Sequence, residues 1–199
     1  PRRCLDELGM RGVVIGSRGA GRELDDPVND GLWALVSERQ AMVFLHPSAA
    51  PDPQRLSDFW LPQLLGYPME TAIAAARLVF GGVVERHPFP LVLAHGGGCL
   101  PAVRGRLTMG WDRKPVAHTT QAPPDELLGR LFYDTAVFDP VALRRLVEDV
   151  GGGQVVVGTD HPYDLAERDP VAFVRSAGLD AGVVDEVLGG TASRLLGLG

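Results

Sequence analysis

Five short apolar runs recur along the chain, at residues 12–16, 41–45, 90–94, 131–133 and 154–158. Most are apolar at nearly every position rather than at alternate ones, the pattern of parallel strands covered on both faces. Helix-like stretches lie between them. Residues 30–40 place Leu32, Trp33, Leu35 and Val36 on one side, and residues 69–84 are alanine-rich and apolar on several faces, which predicts a well-buried helix. Asp139 and Pro140 read as an N-cap and first-turn proline ahead of an amphipathic helix carrying Val141, Leu143, Leu146 and Val147. Residues 183–196 add further helix, interrupted at Gly189 and Gly190. Strand and helix in alternation predict an α/β fold with a parallel sheet. No linker or shift in composition divides residues 1–199, so one domain is expected. The sheet is either open and doubly wound or part of a β/α barrel.

Composition narrows the function classes. The 199 residues carry 25 acidic and 19 basic side chains, a formal charge of −6, and all the basic ones except Lys114 are scattered arginines. An acidic chain without a basic face argues against a nucleic-acid partner. No run approaches the roughly 20 apolar residues of a membrane span. Two cysteines are too few for a disulfide framework, so a cytoplasmic, reducing setting is expected. The 25 glycines and 16 prolines are spread through the chain, which suits many short elements joined by turns. One glycine-rich stretch, Gly16-Ser17-Arg18-Gly19-Ala20-Gly21, lacks the spacing of a dinucleotide-binding turn and is not followed by an acidic ribose partner.

Polar chemistry collects just after three of the apolar runs: His46-Pro47, His95-Gly96-Gly97-Gly98, and Thr159-Asp160-His161-Pro162. The carboxyl ends of parallel strands share one edge of the sheet, where ligands bind. Imidazoles and a carboxylate converging there have the ligand types of zinc or a similar divalent ion. A single histidine after a strand is more often a structural residue; three such ends favour a site. The three glycines permit close backbone approach, to a ligand or simply within a turn. His161 is open to either reading, His87 and His118 read as surface residues, and Asp134, Asp139 and Asp164 as turn or capping residues. Cys99 reads as a small buried side chain.

These residues also carry a resemblance. Phe44-Leu45-His46-Pro47, Phe59-Trp60-Leu61-Pro62, Gly66 to Thr71, Phe80 to Arg86, Leu93 to Gly98 with Pro101, Gly105 and Arg106, and Val157 to Pro162 resemble, in order, the aminocarboxymuconate-semialdehyde decarboxylase branch of the amidohydrolase superfamily. The resemblance implies a β/α barrel with one divalent metal, expected to be zinc, at the carboxyl ends of its strands. By position it implies that His46 and Asp160 are metal ligands and that His95 is the catalytic imidazole taking a proton from metal-activated water. Arg106 is implied to grip a substrate carboxylate, in the family often across a dimer interface. The family's His-x-His pair on its first strand has no counterpart here, and five strands stand against the eight of a closed barrel. The expectation is therefore an incomplete TIM-type barrel lacking its first strands, the C-terminal portion of an enzyme, which alone binds metal weakly and lacks full activity.

The implied function is a metal-dependent lyase that decarboxylates a small unsaturated or aromatic carboxylic acid. A hydratase or hydrolase of the same superfamily and a catalytically silent scaffold are the alternatives. Partners are expected to be a second copy of the chain or a missing N-terminal segment. Leu107, Met109 and Trp111 fit either a dimer patch or one buried helix face.

Overall fold

A computed structural model describes residues 1–19 and 21–198. Ala20, inside the glycine-rich stretch, lies outside the described residues, as does Gly199. In chain order the elements are α1 (Arg2–Asp6), β1 (Gly12–Ile15), β2 (Arg18–Gly19), β3 (Arg22–Glu23), α2 (Asp30–Glu38), β4 (Met42–Leu45), α3 (Tyr67–Phe80), α4 (Val83–Arg86) and β5 (Leu91–Leu93). There follow α5 (Leu100–Arg113), α6 (Pro124–Leu128), β6 (Phe132–Asp134), α7 (Pro140–Val150), β7 (Val155–Val156), α8 (Pro170–Ser176), α9 (Ala181–Asp185) and α10 (Thr191–Leu196).

The five expected strands form one parallel sheet in the order β1-β4-β5-β6-β7, each joined to the next through helix. Sequential strands pair side by side and all run the same way, which bends the sheet into an arc of a β/α barrel. Among the described residues the arc does not close, because β1 and β7 each pair on one side only.

The apolar runs form strands here because helices cover them. Val43, Leu45, Leu91 and Leu93 are at most 1% exposed and join Trp33, Leu78 and Leu143 in one core. Alternate positions face the concave side, so Val14 and Phe44 point the other way and Val14 is 71% exposed. Trp33 anchors α2 by stacking on Phe89 and donating its indole N–H to the Leu24 carbonyl at 3.0 Å.

Several elements differ from the sequence reading, each for a local reason. The helix expected over 69–84 begins at Tyr67 and stops at Phe80, where Gly82 at φ +71° breaks it from α4. The glycine pair 189–190 does not interrupt the last helix; it sits in a π-helical turn, Glu186–Gly190, that links α9 to α10. The last strand is two residues long, and beyond it Thr135 takes over the pairing: its Oγ1 donates to the Gly158 carbonyl and accepts from the Gly158 N–H, both at 3.1 Å. Within the glycine-rich stretch, Arg18 and Gly19 form β2, which pairs antiparallel with β3. Asp139 caps α7 as expected, its carboxylate accepting from the N–H groups of Val141 and Ala142. Cys99 is exposed rather than buried, because the turn before it ends with its side chain facing outward at the start of α5. No described helix is long and apolar enough to cross a membrane.

Candidate metal centre

The three strand ends that carry the expected ligands meet. His46 follows β4 directly, and its backbone N–H donates to the Ile15 carbonyl at 3.0 Å, which continues the β1–β4 pairing. Phe44 and His46 are two residues apart and therefore share the concave face. Asp160 follows β7 in a loop tied by Glu167 N–H to the Thr159 carbonyl at 2.8 Å and Tyr163 N–H to the Asp160 carbonyl at 3.0 Å. It sits at φ +61°, a conformation that Asp tolerates better than most side chains. His95 follows β5 at φ +59° and opens a run in which Gly96, Gly97 and Gly98 also have positive φ.

One donor atom from each of His46, His95 and Asp160 lies within 4.8 Å of the other two. His46 Nε2 and Asp160 Oδ1 are 3.4 Å apart. That is long for a hydrogen bond. It matches the edge of a tetrahedron of ligands around a divalent ion, about 3.4 Å for bonds of about 2.1 Å. Two imidazoles and a carboxylate are a common donor set for zinc and related ions, so these residues fit a divalent metal. The rings of His46 and His95 are 5.1 Å apart, centre to centre.

The centre lines a cavity of about 1420 Å³ on the concave face, with Val14, Phe44, Trp60 and Phe138 among its apolar walls. Gln63 adds a polar group, a buried Oε1 that has no hydrogen-bond partner among the described residues. His95 is 9% exposed, and burial, with the neighbouring His46 second and Asp160 opposing, lowers its pKa to about 4. Its ring is therefore neutral at physiological pH. Its Nδ1 lies 3.1 Å from the hydroxyl of Thr71, on the first turns of α3.

Asp134 ends β6 and is only 4% exposed. Its Oδ1 accepts from the N–H of Gly96 at 2.9 Å and of Ala136 at 3.0 Å. Burial raises its pKa to about 6 against these two hydrogen bonds. It is the turn residue the sequence suggested, and it also clamps the loop that carries His95. A carboxylate ending the fourth apolar run repeats the pattern of the other strand ends and was the available signal. Thr71 and Gln63 carried no such signal.

The remaining candidates lie apart from the centre. Arg106 is exposed on α5 and is not among the cavity-lining residues. His161 is at the cavity wall but exposed. His118 is exposed and stacks on Trp111, with ring centres 4.2 Å apart, and His87 is half-buried. Of the three apolar side chains on α5, Leu107 packs on the core and Trp111 donates to the Thr120 carbonyl at 3.2 Å, while Met109 is 48% exposed.

Comparison with known proteins places this geometry. A family model described as Amidohydrolase matches residues 2–198. The chain belongs to the amidohydrolase family. Over 201 residues it is 37% identical to the 2-amino-3-carboxymuconate-6-semialdehyde decarboxylase of Dictyostelium discoideum, a match covering 99% of this chain and 56% of that protein. Among solved structures it is similar to the 5-carboxyvanillate decarboxylase of Sphingomonas paucimobilis, with a TM-score of 0.89 and 26% identity over 98% of this chain and 60% of the other. A dihydroxybenzoic acid decarboxylase from Polaromonas, solved with bound manganese, shares the fold at a TM-score of 0.85 and 21% identity over 99% of this chain and 64% of that one. This amidohydrolase chain spans about half the length of the curated relatives it matches.

Proposed function

We propose that this amidohydrolase chain belongs to a metal-dependent carboxy-lyase that removes CO₂ from a small unsaturated or aromatic carboxylic acid. The observation that carries the reading is the convergence of His46, His95 and Asp160 at the wall of a largely apolar cavity. Related chains that are decarboxylases by name support it.

In this reading His46 and Asp160 hold the cation, zinc by donor chemistry or manganese as in the Polaromonas structure. The cation supplies Lewis acidity toward oxygen groups when bound. Decarboxylation breaks a carbon–carbon bond, leaves the electron pair on the substrate carbon and requires a proton to replace CO₂. His95, neutral near pH 7, takes a proton from water and delivers it to that carbon as CO₂ departs, and the hydroxide so formed returns to solvent. Phe44, Trp60 and Phe138 offer apolar faces to a flat, delocalised substrate. Arg106, outside its own cavity, would present its guanidinium fork to a substrate carboxylate held by a second copy in a homodimer. The two free cysteines fit a reducing, cytoplasmic setting.

The test is incubation of the zinc- or manganese-loaded protein with 2-amino-3-carboxymuconate-6-semialdehyde and with 5-carboxyvanillate. Release of CO₂, with a product lighter by that mass, supports the proposal. Gain of the mass of water without CO₂ would point to a hydratase or hydrolase. Absence of turnover, even with the remaining portion of a relative's barrel supplied, would leave a silent scaffold.

A further inference from the structure

We propose that Thr71 is a positioning residue that fixes the ring proton of His95 on Nδ1 and so turns the unprotonated Nε2 toward His46 and Asp160. Thr71 is wholly buried, and its Oγ1 is 3.1 Å from His95 Nδ1 and 3.1 Å from the carbonyl oxygen of Tyr67, one helical turn earlier. The hydroxyl has a single hydrogen. If it donates to the Tyr67 carbonyl, as a helical threonine readily does, its oxygen remains free to accept from an Nδ1–H, and both short contacts become hydrogen bonds. If the ring proton sits on Nε2 instead, the hydroxyl can donate to Nδ1 or to the carbonyl but not to both. One of two short polar contacts is then left empty in a site without water access, which the buried setting disfavours.

The consequence reaches the metal centre. An imidazole binds a cation or accepts a proton only through an unprotonated nitrogen, and a hydrogen bond at the other nitrogen decides which one that is. With Nδ1 committed to Thr71, Nε2 is the nitrogen left to meet His46 and Asp160. The anchor comes from α3, whereas the loop carrying His95 is held separately by Asp134 through Gly96. Ring proton and backbone thus have different keepers. This inference deepens the reading of His95 as a base, but it concerns the metal-free ring, so it can fail while the decarboxylase reading stands, and the reverse.

The tautomer is read by long-range ¹H–¹⁵N NMR of the imidazole groups in the full 199-residue chain without metal, beside Thr71→Ser and Thr71→Val. The wild type and T71S are expected to show His95 protonated on Nδ1. T71V, which keeps the side chain's shape but offers no acceptor, is expected to move the proton to Nε2, where it faces the Asp160 carboxylate. A wild-type His95 ring protonated on Nε2, or a folded T71V with an unchanged tautomer, would overturn the proposal. Should T71V fail to fold, the wild-type spectrum alone decides.

Discussion

Two side chains at and beside the candidate metal centre differ in how a substitution would act. His46 is a ligand candidate held at 3.4 Å from Asp160, so His46→Ala should lower zinc affinity by about 100-fold or more while leaving the fold intact, measured by chelator competition and circular dichroism. Asp134 is the opposite case, a buried group whose loss damages structure. Asp134→Ala orphans the N–H groups of Gly96 and Ala136 and should cost about 2–4 kcal/mol in denaturant unfolding. Asp134→Asn keeps an acceptor oxygen for both and removes the charge. Because folding raises this carboxyl's pKa from 3.8 to about 6, its ionised form opposes folding. That opposition is fully present above about pH 6 and gone below about pH 4, and amounts to something on the order of 3 kcal/mol at pH 7. In metal-free protein the Asn variant should therefore be more stable than wild type at pH 7, with the gap closing as pH falls to 4. An Asn variant no more stable at pH 7 would contradict the desolvation account.

Among the elements, the turn between β5 and α5 constrains the site most tightly. A Cβ on Gly98, at φ +62°, would stand 1.9 Å from the Pro68 carbonyl oxygen. The glycines thus permit close approach, but to the first turn of α3 rather than to a ligand, and α3 is the helix that supplies Thr71. Gly98→Ala should cost at least ~3 kcal/mol in unfolding free energy and abolish zinc binding with it. The sequence announced the turn through its three glycines and the cap of α7 through Asp139-Pro140, because both are local backbone requirements. It misjudged the ends of α3 and the role of Gly189-Gly190, because a glycine's tendency to break helix is settled by what the chain packs against. The exposure of Cys99 follows from the direction in which that same turn releases the chain.

For the whole molecule, the open arc and the centre on its concave face set metal retention. On the proposed reading, in which His95 transfers the proton, the described residues supply two dedicated ligands, His46 and Asp160. The 199-residue chain should retain well below one equivalent of zinc after dialysis, measured by elemental analysis; one tightly held ion per chain would contradict this. The amino-acid order alone determined the parallel α/β alternation and the placing of His46, His95 and Asp160 at strand ends, since periodicity and strand boundaries are properties of neighbouring residues. Only the tertiary structure decided that His46 and Asp160, 114 positions apart, stand within 3.4 Å, that Thr71 of α3 lies 3.1 Å from the His95 ring nitrogen, and that Arg106 lies outside its own cavity. Those facts depend on how the arc curves and how each helix lies against it, which the long-range packing of side chains sets and no local pattern records.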